Sequence, residues 1–340
     1  MSAVVTLAVD AMGGDHGLPV TVPAVARVLA RHANLSVIMV GAPEALAPEL
    51  KKEGLDAHPR VSVAPASEVV AMDDPVAVAL RQKKDSSMRV AINQVKEGRA
   101  QAAVSAGNTG ALMAVSRFVL KTLPGVDRPA ICTAIPTASG HCHMLDLGAN
   151  VDSEPAHLLQ FAMMGQAVVR AVDGQKRPKV ALLNIGEEDI KGNEQIKEAA
   201  NLMSQAEDLN YVGFVEGNGI FLGDVDVVVC DGFVGNVSLK TMEGVAKMIG
   251  GMIREEASRS LLRKLSGLFA LPLLGGLKKR MDPDRYNGAS LVGLNGVVVK
   301  SHGGTSVEGF ASALEVAVLE AERNVPALIR DALAPTDSLL

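Results

Sequence analysis

The chain has 340 residues, with 33 Lys and Arg against 38 Asp and Glu, a formal charge of −5. Apolar residues make up 48% of it, enough for a sizeable core and too many for a disordered chain. Aromatics are only 3%, so the acidic balance and the lack of stacking platforms exclude a nucleic-acid reader.

Cys132, Cys142 and Cys230 are odd in number and widely spaced, as expected of a reducing cytosol. The opening VVTLAVDAMGG has no basic flank and turns polar at Asp10, so it reads as a first strand and not a signal peptide. No apolar run reaches the roughly 18 residues of a membrane span. A soluble cytoplasmic protein is expected.

Valine-rich runs at residues 4–9, 35–40, 61–63, 102–105, 143–147, 180–184, 211–214, 225–230 and 297–300 predict strands, separated by Ala/Leu/Glu-rich helical stretches. Several runs are apolar throughout, the pattern of parallel strands covered on both faces. The alternation predicts a three-layer α/β/α protein with a largely parallel, doubly wound sheet. One catalytic domain over 1–340 is expected, with the turn at 173–178 the one candidate boundary.

Six predicted strands run into Gly-, Asn- and Asp-rich turns: DAMGGDH (10–16), SAGNTG (105–110), DLGAN (146–150), NIGEEDIKGN (184–193), DGFVGN (231–236) and SHGGT (301–305). A parallel sheet gathers such turns on one edge, where helix N-termini offer free N–H groups and positive dipole ends. The turns therefore predict an anion-binding cleft, although each alone is also an ordinary strand-to-helix corner. Its candidate ligands are Asp10, Gly13, Gly14, Asp15, His16, Gly107, Asn108, Thr109, Gly110, Asp146, Asn150, Asn193, Asp231 and His302.

Named motifs are incomplete. Gly217-Asn218-Gly219 has Leu222 where a dinucleotide fingerprint needs its third glycine, and no Walker pattern occurs. The segment around Ser105 resembles a nucleophile elbow with Ala103 for its first glycine, so Ser105 reads as a strand-end hydroxyl. His141-Cys142-His143 puts two imidazoles on one strand face, but zinc needs further ligands and none stands out in the sequence. They read as packed or solvated histidines, and no metal or cofactor is expected.

Two turns carry more. Lys191 sits among Glu187, Glu188, Asp189, Asn193 and Glu194, either as a surface ion pair or as a fixed positive charge for an anion. Asn236 either caps a helix or presents its amide to a developing oxyanion. A third segment, 254–281, predicts an amphipathic helical hairpin. Leu261, Leu262, Leu265, Leu268 and Phe269 recur at helical spacing, and residues 254–280 hold seven basic against two acidic side chains. It reads equally as a face packed on a partner subunit and as an apolar tip entering an anionic membrane surface.

Taken together, VDAMGGD (9–15), SAGNTGALM (105–113), DRPA (127–130), DLGANVD (146–152), NIGEEDIKGNE (184–194), DGFVGNVSLKTMEG (231–244) and YNGASLVGL (286–294) resemble the bacterial phosphate acyltransferases of phospholipid synthesis. The resemblance runs in order from about residue 4 to about 329. It implies transfer of a fatty acyl group from acyl carrier protein to inorganic phosphate, giving an acyl phosphate for a downstream glycerol-3-phosphate acyltransferase. It also implies a homodimer akin in fold to phosphotransacetylases and isopropylmalate-type dehydrogenases. The catalytic residues it implies are Lys191 and Asn236, with phosphate held partly by the 13–15 and 107–110 turns. It makes the hairpin a peripheral contact with the inner face of the membrane. Arg254, Arg259, Arg263, Lys264, Leu268, Phe269, Lys278, Lys279 and Arg280 are its candidate carrier or lipid contacts.

Two other classes fit less of the chain. A decarboxylating, metal- and nicotinamide-dependent hydroxyacid dehydrogenase would use Asp10, Asp146 and Asp231 as metal carboxylates. A non-enzymatic membrane-peripheral scaffold for the carrier protein would leave the polar turns without a use.

Overall fold

β-Branched runs make strands here because their stiff side chains pack well on a pleated surface buried on both faces. In a computed structural model of the chain, which describes residues 4–259 and 282–334, the strands are β1 (Val5–Asp10), β2 (Leu35–Gly41), β3 (Val61–Pro65), β4 (Ala102–Ser105), β5 (Ala130–Thr137), β6 (Gly140–Leu145), β7 (Val180–Leu183), β8 (Tyr211–Val215), β9 (Val227–Val229), β10 (Ala289–Val292) and β11 (Val297–Lys300). Nine match predicted strands to within a few residues. β5 and β10 were not predicted: Pro136 and the flanking threonines break the apolar run of β5, and β10 is a four-residue ASLV behind Asn287-Gly288.

All eleven join one sheet in the order β3-β2-β1-β4-β11-β10-β5-β6-β9-β7-β8. The first five are mutually parallel, as are the last four. Between them β10 is antiparallel to both β11 and β5, and β5 is antiparallel to β6. Three reversals leave β6, β9, β7 and β8 running opposite to β1, β4 and β11. The expectation that six polar turns gather on one edge is therefore overturned. Those after β1, β4 and β11 leave at one edge, and those after β6, β7 and β9 at the other. The cause is the pair of strands that periodicity failed to reveal.

The helices are α1 (Leu18–Arg31), α2 (Pro43–Lys52), α3 (Val76–Arg81), α4 (Ser87–Lys96), α5 (Thr109–Leu120), α6 (Pro155–Val172), α7 (Glu194–Gln205), α8 (Gly232–Ser258), α9 (Val307–Arg323) and α10 (Val325–Leu333). Alternate strand residues serve opposite layers. Val104, Val297 and Val299 pack with α1 and α9, whereas Ala103 and Val298 pack with α4 and α5. The three-layer α/β/α reading holds. Helix α6 is buried nearly all round beneath α7 and α10, and its apolar surface is correspondingly continuous. Helix α8 is the opposite case: of its 27 residues only Gly232 and Gly235 are buried. It includes Arg254, with Arg259 as its C-cap, so the segment predicted as a hairpin begins as a direct continuation of α8; residues 260–281 lie outside the described residues.

Candidate active site

At the edge where β6, β7 and β9 end, Asp146 organises the corner. Its fully buried carboxylate accepts hydrogen bonds from the backbone of Ile131 (2.9 Å), Ala149 (3.0 Å) and Asn150 (2.8 Å) and from Asn150 Nδ2 (2.9 Å). Burial raises its pKa and these donors pull it back. Asn150 Nδ2 also donates to Pro129 O at 2.9 Å, tying the DLGAN turn to the start of β5. Helix α8 begins hard against this turn. A Cβ at Gly232 would stand 2.4 Å from Asn150 O, and one at Gly235 only 1.8 Å from Asp146 O, so both positions require glycine.

Asp231, and not Asn236, caps α8, its Oδ1 accepting from Val234 N at 2.9 Å. The cap reading of Asn236 is thereby corrected. The residue lies one turn into the helix, exposed, with its side chain over Gly148. Asn193 caps α7 in the same way, accepting from Ile196 N at 2.9 Å. Gln195 Nε2 donates to Ser153 O, which docks the start of α7 on the loop that follows Asn150. Lys191, three residues before α7, is exposed. Its stem crosses Gly186, where a Cβ would meet Lys191 Cγ at 2.8 Å. The surface ion pair expected as its alternative is not formed with any described carboxylate.

Between these elements opens a cleft of about 450 Å³ lined by Val151, Asp152, Ser153, Gln195, Asp231, Phe233 and Val234. Both α7 and α8 present first turns to it. The N–H groups of Gly232, Val234 and Ile196 are taken by Asn150 O, Asp231 and Asn193, which leaves those of Phe233, Glu194 and Gln195 at the positive dipole ends. Lys191 lies just ahead of α7 and Asn236 one turn into α8, both exposed and neither among the residues that line the cleft, whose two helix starts are the feature suited to an anion.

The opposite edge carries the turns after β1, β4 and β11. Buried Asp10 accepts from Gly13 N (3.1 Å) and Ser105 Oγ (2.6 Å), and Ser105 Oγ in turn accepts from Gly107 N (3.0 Å). Burial raises the Asp10 pKa against these hydrogen bonds. Asp15 N donates to Gly303 O (2.9 Å), while His302 bonds Asn287 and Gly304. Gly14, at φ 90°, lets this turn approach Ala106 and Gly303. Asn108 caps α5 and donates to Met72 O at 2.7 Å. The amides of Gly13, Asp15 and Gly107, expected to be free for an anion, are thus consumed within the corner. His16, Thr109 and Gly110 remain exposed there.

Lys300, which no motif marked, is buried in this corner, its ammonium donating to Ala106 O (3.3 Å) and Ser301 O. Burial pushes its pKa down to about 8; Asp15 and Asp10 oppose that, and Lys240 adds to it. The one signal in the sequence was a lysine closing an all-valine strand. Lys240 belongs to α8, and Leu239 and Met242 pack in one cluster with Met113 of α5, so α8 spans from one polar corner to the other.

At its far end Arg259 pairs with Glu255 (3.0 Å) and Glu256 (2.6 Å), and Arg254 Nε donates to Gly250 O. Arg263, Lys264, Leu268, Phe269, Lys278, Lys279 and Arg280 lie outside the described residues. No described helix is long and apolar enough to cross a membrane.

The fold is that of the phosphotransacetylases: a phosphotransacetylase from Streptococcus pyogenes superposes with a TM-score of 0.64 at 18% identity, covering 93% of this chain and 94% of that one. A 4-hydroxythreonine-4-phosphate dehydrogenase from Klebsiella pneumoniae shares it more loosely, at a TM-score of 0.51 and 16% identity over 95% and 99% of the two chains. In sequence, residues 5–328 match the family described as "Fatty acid synthesis protein". A phosphate acyltransferase of Alcanivorax borkumensis is 82% identical over 97% of this chain and 98% of its own, and one of Legionella pneumophila (strain Paris) is 56% identical over 96% of each. The chain belongs to this family, among the bacterial phosphate acyltransferases.

Proposed function

We propose that the protein transfers a fatty acyl group from acyl carrier protein to inorganic phosphate, and that phosphate binds in the cleft between the starts of α7 and α8. The observation that carries this is the cleft onto which both helix starts open, with Lys191 and Asn236 on the same two segments of chain. The names of the relatives support the reaction class.

Phosphate is already an anionic nucleophile, so no covalent enzyme intermediate is required. The Lys191 ammonium and the first-turn amides hold it; a phosphate oxygen attacks the thioester carbonyl; the Asn236 amide donates to the oxyanion that forms; collapse expels the carrier thiolate and leaves the acyl phosphate. Positioning and charge stabilisation each supply several kcal/mol in such a site. Phosphate-dependent release of carrier thiol by the wild type, lost in Lys191→Ala, tests the assignment. Undiminished release by a folded Lys191→Ala protein rejects it.

The dehydrogenase reading is disfavoured by geometry, since Asp10 lies at the opposite sheet edge from Asp146 and Asp231 and both buried carboxylates are saturated with internal donors. A scaffold leaves the cleft unused.

The exposed apolar residues of α8, among them Phe233, Val237, Val245, Met248 and Met252, support a homodimer covering that helix. The basic residues of 254–280 supply the landing surface for the acidic carrier and a peripheral contact with the inner membrane face. There the acyl phosphate passes to a glycerol-3-phosphate acyltransferase from a cytoplasmic enzyme. Steering of this kind weakens with salt. Carrier affinity that ignores ionic strength rejects the landing surface.

A further inference from the structure

The sequence offers two imidazoles, His141 and His143, on one face of β6. The fold supplies a third donor from 30 residues away: Asp173, at the C-terminal end of α6. His141 Nε2 lies 3.1 Å from Asp173 Oδ1, and His143 Nε2 lies 3.0 Å from Oδ2. The three donor atoms all fall within 4.8 Å of one another. We propose that His141, His143 and Asp173 bind a divalent transition-metal ion, with zinc the best-fitting occupant.

The distances carry the argument. Tetrahedral zinc with bonds of about 2.0–2.1 Å sets its ligand atoms roughly 3.3–3.4 Å apart. The two nitrogen–oxygen separations run to different oxygens of Asp173 and are those of direct hydrogen bonds, so an entering ion replaces these bonds and draws in three donor atoms that already lie within 4.8 Å of one another. Two imidazoles and one carboxylate suit zinc, and disfavour calcium and magnesium, which take oxygen ligands. His143 is anchored from behind, its Nδ1 facing Cys132 Sγ at 3.9 Å. When Nε2 binds the ion, the proton sits on Nδ1 and faces that sulfur, a weak acceptor. The His141 side chain is 37% exposed, which leaves an approach for the ion and a place for a water as fourth ligand.

The site lies at the start of β6, while Asp146 and the cleft lie beyond its other end. Its role is a clip joining the β5–β6 hairpin to the end of α6, separate from acyl transfer.

Equilibrium dialysis of the full chain against zinc, with cobalt as a visible-spectrum reporter, tests this. One zinc per chain is expected, with tetrahedral cobalt bands. At free zinc one hundredfold above Kd the folding equilibrium gains about a hundredfold. His141→Ala and Asp173→Asn should each weaken zinc binding tenfold or more while leaving thiol release unchanged. His141 is exposed, so its variant decides the matter even if Asp173→Asn fails to fold. No retained zinc at micromolar concentration, or retention identical in His141→Ala, overturns the proposal.

Discussion

Asn236 rests over Gly148 so closely that a methyl group at Gly148 would stand 3.3 Å from Asn236 Cβ. The DLGAN turn thus sets where the carboxamide on α8 lies, and the two segments are one functional unit although 88 residues separate them in sequence. Gly148 also adopts φ 116°, a region costly for an L residue. Gly148→Ala is expected to lower turnover about tenfold or more while the chain still folds. Circular dichroism alongside the thiol-release assay separates the two effects, and unchanged turnover would show that Asn236 placement is not limiting.

Removing one preorganised donor to an oxyanion typically costs about 10²–10³ in turnover. Lys191→Ala and Asn236→Ala are each expected to fall in that range. Because both act on one transition state, the double variant should lose much less than the product of the single losses. Full multiplicative loss would place the two residues in independent steps.

Lys300 makes stability depend on pH. Its folded pKa of about 8 lies below the ordinary 10.5. Below pH 8 the ammonium is charged folded and unfolded alike, so the cost of burying it is fully felt. Between pH 8 and 10.5 the folded chain sheds a proton that the unfolded chain keeps, and stability rises by up to about 1.4 kcal/mol per pH unit. Urea unfolding at pH 7 and 9 should show this rise in the wild type and a smaller one in Lys300→Met.

Glu320 acts in the opposite sense. It is wholly buried on α9, accepts a hydrogen bond from Ser290, and burial raises its pKa from 4.5 to about 7. As pH climbs from 4.5 to 7 the unfolded chain loses a proton that the folded chain holds, so stability declines over that window. Glu320→Gln keeps an acceptor for Ser290 and should be more stable above pH 7, by about 1–3 kcal/mol. A less stable variant at pH 8 would reject the assignment.

The strand-end turns show how far the sequence could be read. Gly232 and Gly235 in DGFVGN mark a backbone approach that the Asp146 corner confirms, because glycine is the residue that fits where a Cβ would strike a carbonyl. The caps at Asn108, Asn193 and Asp231 read in the sequence as anion ligands instead, and the one cap expected, at Asn236, falls a turn inside α8, because a polar turn does not by itself show which of its residues starts the helix. Lys300 was not legible in this way. Its character comes from Ala106 and from Asp10 and Asp15, which are distant in the chain and invisible to any window around β11.

By itself the sequence determined the nine apolar strands, the helices between them, the family and the polar corners, since each depends on side chains a few residues apart or on motifs carried in order. Tertiary structure decided which corners meet. Two antiparallel strands, β5 and β10, reverse the sheet and send three corners to each edge. Hydrogen bonding between strands is a contact between distant segments, and no local periodicity records which way a neighbour runs.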